Sequence, residues 1–418
     1  MSSNISERVV ITGIGCVSPN GSNAVAVWES LVKGISPIKI IPRFAEGPIK
    51  YKSHLGAEIV DFSTVPFLTS KEVKIMSRFT QFAIVAAKQA LMDAHFVIDD
   101  QNSKYTGVMI GTGIGGIEFT EQQQTTFIEN GTSKLNPFAA SAISPHAASA
   151  EVSIHLKLKG PQASIVTGCS AGLNAIGQAY DAIRLGRAEV MLTGGSEAPL
   201  SPLTFGTFDV SRQLSVSNDQ PLNASRPFDL NRDGFILSEG AAVFVLERLE
   251  HAQKRGAHIY AEIAGTASTG DAYHSYQLDP TGESVAEAMQ RALFEAEMSL
   301  GDIDLIAAHG SGSKGGDEKE AAAILKVFKD YAKKIPVTAI KSNMGMPFGA
   351  SGPFQLLAST LAIERKVIPP TLNYENYDEK CPLNIVSKSA REGSINTVLM
   401  NSFGLGGNNA TLIIKKFK

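Results

Sequence analysis

The stretch "SIVTGCSAGLNAIGQAYDAIRLG", residues 164–186, decides the fold. A short apolar run ends in a turn of small residues, and apolar positions at helical spacing follow, so it reads as strand, sharp turn and amphipathic helix. This is the repeating unit of a layered α/β protein, with Cys169 at the turn. Working outward, "RVVITGIG" (8–15), "YTGVMIGTGIGG" (105–116) and "EVMLTGGSE" (189–197) read as buried strands, and "KEVKIMSRFTQFAIVAAKQALMDA" (71–94) as one long helix. Beyond residue 255 the pattern begins again: helix 283–298, strand 304–312, helix 317–332, strand 336–340, helix 354–365, then strands 396–404 and 410–416. The echo predicts an internal duplication, with halves 1–255 and 256–418 and no low-complexity linker between them.

Composition excludes several classes. The 418 residues carry a net charge of −3, which leaves no electrostatic footprint for nucleic acid. Cys16, Cys169 and Cys381 are too few and too far apart for a disulfide framework or a zinc signature, so no metal is expected and a reducing cytoplasmic setting is. The opening "MSSNISERVVITGIG" lacks the pattern of a signal peptide, and no apolar run reaches the roughly 18 residues of a membrane span.

A thiol at the start of a helix meets the positive end of the helix dipole and free N–H groups, which lower its pKa and offer an oxyanion site. An inert buried cysteine is the plainer alternative. A hydrolase competes for the same residues, because "GCSAG" also fits the G-x-S-x-G elbow with Ser170 as nucleophile. That reading needs a late histidine, and those after Ser170 are His251, His258, His274 and His309, none near the C-terminus.

"LIAAHGSGSKGGDEKEA" (305–321) puts His309 at the carboxyl end of an apolar strand, where α/β sheets bind ligands, followed by the hydroxyls of Ser311 and Ser313. Asp317 and Glu320 lie where a helix starts and fit an acidic cap as well as a site. "NSFGLGGNNA" (401–410) brings N–H groups around Leu405 to a developing negative charge, or makes an ordinary Gly-rich hairpin turn. "IKSNMGMPFGASG" (340–352) has the lysine and glycines of an active-site loop, yet at its centre stands Met346, which exchanges no proton.

With "ASRPFDLNRDGFILSEGAAVFVLE", "RGAHIYAEIAG", "VIPPTLNYEN" and "NSFGLGGNNATLII" added, the chain resembles the β-ketoacyl-acyl carrier protein synthases of the thiolase superfamily along essentially its whole length. "TGCSAG", "EAPLSPLTFGTFD", "DAYH" and "AHGSGSKGGDEKEA" look more like the ketosynthases of type II polyketide systems. The resemblance implies a five-layer αβαβα fold of two duplicated halves and a dimer. It implies no bound cofactor, the substrate arriving on the phosphopantetheine of an acyl carrier protein. It implies Cys169 as acyl-accepting nucleophile, His309 as first catalytic histidine, Lys341 and Glu320 as supporting polar groups, and Ser311 and Ser313 as pantetheine contacts. The N–H groups of Cys169 and Leu405 would form the oxyanion hole, and Lys74, Arg78 and Lys134 fall where the family docks its acidic carrier, or on a solvated basic face.

The departures cluster at one step. Met346 stands where the family has a second histidine, Gln355 where it has a glutamate, and Leu405 where it usually has a gating phenylalanine, with Phe403 in the same supporting set. The expected activity is therefore acyl transfer to Cys169 with impaired or altered decarboxylative condensation with malonyl-carrier protein. Three variants stay open: a condensing enzyme in which a water or Asn343 replaces the missing donor, a priming acyltransferase that forms no carbon–carbon bond, and a chain-length-factor-like subunit of a ketosynthase heterodimer.

Overall fold

A computed structural model describes residues 7–418; residues 1–6, the start of the stretch that lacks a signal-peptide pattern, lie outside the described residues. Ten strands form two sets of five. The first set is β1 Val9–Val17, β2 Thr106–Gly111, β3 Gln162–Ile165, β4 Val190–Glu197 and β5 Gly240–Arg248. The second is β6 Ala261–Gly270, β7 Leu305–Ala307, β8 Pro336–Thr338, β9 Thr397–Gly404 and β10 Asn408–Lys415. The first half runs β3-β2-β4-β5-β1 and the second β8-β7-β9-β10-β6, with matching parallel and antiparallel pairings. A short antiparallel pairing of Val9–Ile11 with 261–263 joins the halves, and strand Asn384–Ile385 adds an edge to the second.

The helices repeat in the same way. Helices α1 (Arg78–Asp93), α2 (Ala147–Leu156) and α3 (Ala171–Arg184) follow β1, β2 and β3, while α4 (Glu283–Glu295), α5 (Lys314–Phe328) and α6 (Ser351–Arg365) follow β6, β7 and β8. Helices α1 and α2 cover one outer face, α4 and α5 the other, and α3 and α6 lie together between the two half-sheets. This is the five-layer αβαβα arrangement of the thiolase-like fold. Close approach in the middle layer requires glycine: a side-chain carbon on Gly172 of α3 would lie 2.3 Å from the ring of Pro353 in α6.

One expectation changes. Residues 71–94 do not form one helix; Ser70–Ile75 is separate, because Met76 adopts extended backbone and buries its side chain before α1 begins. Local helical preference continues across the break, but the apolar contact redirects the chain.

Candidate active site

The turn between β3 and α3 is a short helical segment, Gly168–Ser170, made possible by Gly168 at φ +59°. It delivers Cys169 to a cavity of about 500 Å³ that is also lined by His309, Ser311, Ser313, Met346, Phe348, Phe403 and Leu405. The tertiary fold thus brings together sequence-predicted residues from both halves. Cys169 packs among Phe205, Phe235, Met346 and Phe348, an apolar setting. Burial pushes its thiol up to about 12, against the opposing pull of the Lys341 ammonium. The sequence expectation of a lowered pKa is corrected here: the helix-terminal position is present, but desolvation in this apolar setting outweighs it.

Ser170 is wholly buried and does not line the cavity; its hydroxyl donates to Thr167 O at 2.8 Å and receives the Asn174 amide at 3.3 Å. This hydroxyl is part of the turn, and the hydrolase reading falls with it.

His309 is held at three points. Its backbone N–H and that of Gly310 donate to Glu320 at 2.7 and 2.8 Å. The Lys341 ammonium donates to the His309 carbonyl and lies 3.4 Å from ring Nδ1, while the Phe403 N–H donates to Nδ1 at 3.3 Å. With Nδ1 accepting, Nε2 carries the proton of a neutral ring. Burial, with the Lys341 charge second, holds the imidazole well below its ordinary range. Burial also moves Lys341 down and Glu320 up. Asp317 gathers the N–H groups of Ser311, Gly312 and Phe228, so Asp317 and Glu320 of α5 reach back to fix the 309–313 loop rather than simply capping their helix. Ser311 and Ser313 share a hydroxyl–hydroxyl hydrogen bond of 2.9 Å at the cavity wall.

The two amides expected of an oxyanion hole lie side by side. A side-chain carbon on Gly168 would lie 3.8 Å from the Leu405 nitrogen, an ordinary contact, while one on Gly404 would lie 3.1 Å from the Cys169 nitrogen, so it is Gly404 that keeps the space open. Ser402 Oγ donates to the Cys169 carbonyl at 2.9 Å and anchors the turn.

Met346 pairs through its backbone with the segment Ile236–Ser238, its N–H donating to Ile236 O at 2.7 Å, and its side chain lines the cavity. Asn343 is no substitute donor: it is fully buried, its amide donates to Leu31 O at 3.3 Å, and it does not line the cavity. Gln355 is buried in α6, and its amide donates to the carbonyls of Ala307, Ala308 and Asn401 at 3.2, 2.6 and 3.1 Å. It braces the strand end before His309.

Lys74 and Lys134 are both exposed, and Asn136 links their segments by donating to the Lys74 carbonyl at 2.9 Å. Arg78 does not belong with them. Its guanidinium donates twice to Glu239, at 3.0 and 2.7 Å, and once to Ile59 O, so its charge is spent on a largely buried ion pair. Sequence reasoning also missed Glu197, a fully buried carboxylate close to Cys169 that sits inside what reads as the end of an apolar strand.

The comparisons with known proteins fit this geometry. The N-terminal domain of the β-ketoacyl synthases matches residues 6–252, and the C-terminal domain matches 260–375. The chain belongs to the β-ketoacyl synthase family. It is similar to the 3-oxoacyl-[acyl-carrier-protein] synthase 2 of Coxiella burnetii, 43% identical over 98% of each chain. The enzyme of the same name from Staphylococcus aureus N315 is 41% identical over 99% of each. Among solved structures, a β-ketoacyl synthase from Burkholderia phymatum matches with a TM-score of 0.92 at 32% identity, over 99% of this chain and 100% of that one. A type II polyketide ketosynthase solved in complex with its acyl carrier protein and bound to a hexaketide matches at 0.90 and 32%, with the same coverage. This β-ketoacyl synthase is therefore an acyl-transferring enzyme of the ketosynthase class, of the kind that serves fatty acid and polyketide biosynthesis. Among the described residues, no group of His, Cys, Asp or Glu is placed to hold a metal ion and no helix is long and apolar enough to cross a membrane.

Proposed function

We propose that this β-ketoacyl synthase takes an acyl group from the phosphopantetheine of an acyl carrier protein onto Cys169, and that it condenses this group with malonyl-carrier protein far less readily than it loads it. The observation that carries the reading is Met346, which lines the same cavity as Cys169 and His309. Loading needs the Cys169 sulfur as nucleophile, its proton leaving with the departing pantetheine thiol, two amides on the oxyanion and a shaped apolar cavity, and residues for each are present. Decarboxylation builds an enolate, whose oxygen needs donors. His309 Nε2–H supplies one; the Met346 thioether donates nothing. Loss of one such donor costs about 100- to 1000-fold in rate.

In this reading Ser311 and Ser313 contact the pantetheine, the amides of Cys169 and Leu405 hold the oxyanion, and Lys341 and Glu320 fix His309. Lys74 and Lys134 meet the acidic carrier. The unit is a dimer, with itself or with a second ketosynthase-like subunit, and the halves 1–255 and 256–418 supply nucleophile and histidine respectively. Three unpaired buried cysteines suit a reducing cytoplasm.

The test incubates the purified enzyme with acyl- and malonyl-carrier proteins while following the mass of the Cys169 peptide and the release of CO2. Rapid acylation with slow CO2 release supports the reading. CO2 release as fast as loading defeats it, and no loading without an added partner subunit favours the heterodimer.

A further inference from the structure

The duplication extends to the reactive turn itself. Before α6, residues Phe348–Ala350 form a short helical segment like Gly168–Ser170 before α3, and Phe348 stands at φ +33° where its counterpart Gly168 has +59°. The residues that lead into the two helices, Ser170 and Ala350, share φ −85° and ψ −6°. Position for position, Gly349 is the counterpart of Cys169.

The neighbouring strands agree. β4 and β9 are each eight residues long and end at Glu197 and Gly404, which face the first residues of β5 and β10. Two positions earlier, Ser402 Oγ donates to the Cys169 carbonyl, and its counterpart Gly195 lies so close to the Gly349 carbonyl that a side-chain carbon would be 2.4 Å from it. At the reactive turn the strand end is glycine and the Cys169 amide faces open space. At the duplicate turn the strand end is Glu197, whose carboxylate accepts from Gly349 N at 3.0 Å, Thr112 Oγ1 at 2.9 Å and Ile114 N at 3.2 Å, and also from Gly113 N.

We infer that the chain holds a second anion hole at the duplicate turn, with the Gly349 amide where the reactive turn has that of Cys169, that the Glu197 carboxylate is its permanent occupant, and that this occupant positions Phe348 and so shapes the acyl cavity. All four partners are donors, so an ionised carboxylate is the species that suits the hole. Phe348 has cause to be held: it is an aromatic residue at positive φ, a conformation L-residues adopt only when surroundings enforce it. Its ring packs against Phe208 and Phe235, with centroids 4.9 and 6.2 Å apart, and all three line the cavity. Glu197 is thus a positioning residue that acts through the turn it pins. The titratable group facing it is the Cys169 thiol on the α3 turn, which in turn faces Lys341. Burial moves Glu197 up to about 7, so the pin is full above neutrality and weakens as pH falls.

The loading arm of the test rests on the proposed acylation of Cys169; the exchange arm does not. Hydrogen exchange at residues 112–114 and 348–350 should quicken at least tenfold in Glu197→Gln, which places an amide donor among donors. Decanoyl loading from carrier protein should fall at least tenfold. Alkylation of Cys169 by iodoacetamide should hold or quicken, because a negative charge beside the thiol is gone. The loading deficit should be full at pH 8.5 and shrink toward pH 6, where the unmodified enzyme also protonates Glu197. Thr112→Val keeps the charge and removes one donor; it should slow loading at least threefold with alkylation unchanged. Unchanged exchange in Glu197→Gln overturns the inference, as does an equal loss of loading and alkylation at every pH. An unmodified enzyme that takes no decanoyl group, with exchange behaving as expected, instead overturns the proposed function alone.

Discussion

The backbone N–H of Phe403 donates to Nδ1 of His309 at 3.3 Å, so an amide from the second half's last long hairpin fixes the proton of the buried imidazole on Nε2. A second proton on Nδ1 would meet that N–H and the Lys341 ammonium. The ring is therefore expected to stay neutral, as the Nε2–H tautomer, from pH 6 to 9. Nitrogen NMR of labelled His309 checks this; an imidazolium signal at pH 6 would contradict it. In Lys341→Ala the ring should titrate at higher pH, and iodoacetamide should alkylate Cys169 about tenfold more slowly at pH 8, because the cation that favours the thiolate is gone.

Met346→His restores a donor to the cavity wall. Release of CO2 from malonyl-carrier protein is expected to rise by about 100-fold, the worth of one donor on a developing oxyanion, while the rate of Cys169 acylation stays within about twofold. Parallel measurement of CO2 and of the Cys169 adduct mass separates the two steps.

Gly404→Ala places a carbon 2.9 Å from the Thr167 oxygen and 3.1 Å from the Cys169 nitrogen. The Cys169 amide can then no longer meet an oxyanion. Acylation is expected to fall by at least about 100-fold, with KM for the acyl carrier little changed, which steady-state kinetics would show.

Gln355→Glu replaces an amide that serves three carbonyls by a carboxylate that repels them. The buried acid would have its pKa raised above the ordinary value of about 4.3, so its protonated form is favoured in the folded chain. The deficit in stability should be smallest below that value and grow as pH rises through the folded pKa. Thermal unfolding at pH 4.5 and 8 reads the difference; an equal loss at both would exclude the electrostatic cause.

Charge reversal at the basic face separates docking from structure. Lys74→Glu with Lys134→Glu should raise KM for an acyl carrier about tenfold and leave the reaction with a small acyl thioester unchanged. Arg78→Ala should instead cost about 2–3 kcal/mol of stability, since it strands Glu239 without its charged donor.

The amino-acid sequence by itself determined the order of strands and helices, the place of Cys169 at a strand-to-helix turn, and the loops that carry His309, Met346 and Leu405. These are local matters: apolar periodicity and small-residue turns act over a few neighbours, and each is legible where it stands. Only the tertiary structure decided which side chains share an environment. Glu197 reads as the tail of an apolar strand until Gly349, 152 positions away, is folded against it. Arg78 reads as a surface cation until Glu239, 161 positions away, takes its charge. The dipole at the start of α3 reads as sufficient to acidify Cys169 until Met346 and Phe348 exclude water from the thiol. Desolvation and long-range pairing depend on which groups meet after folding, and no window along the chain contains them.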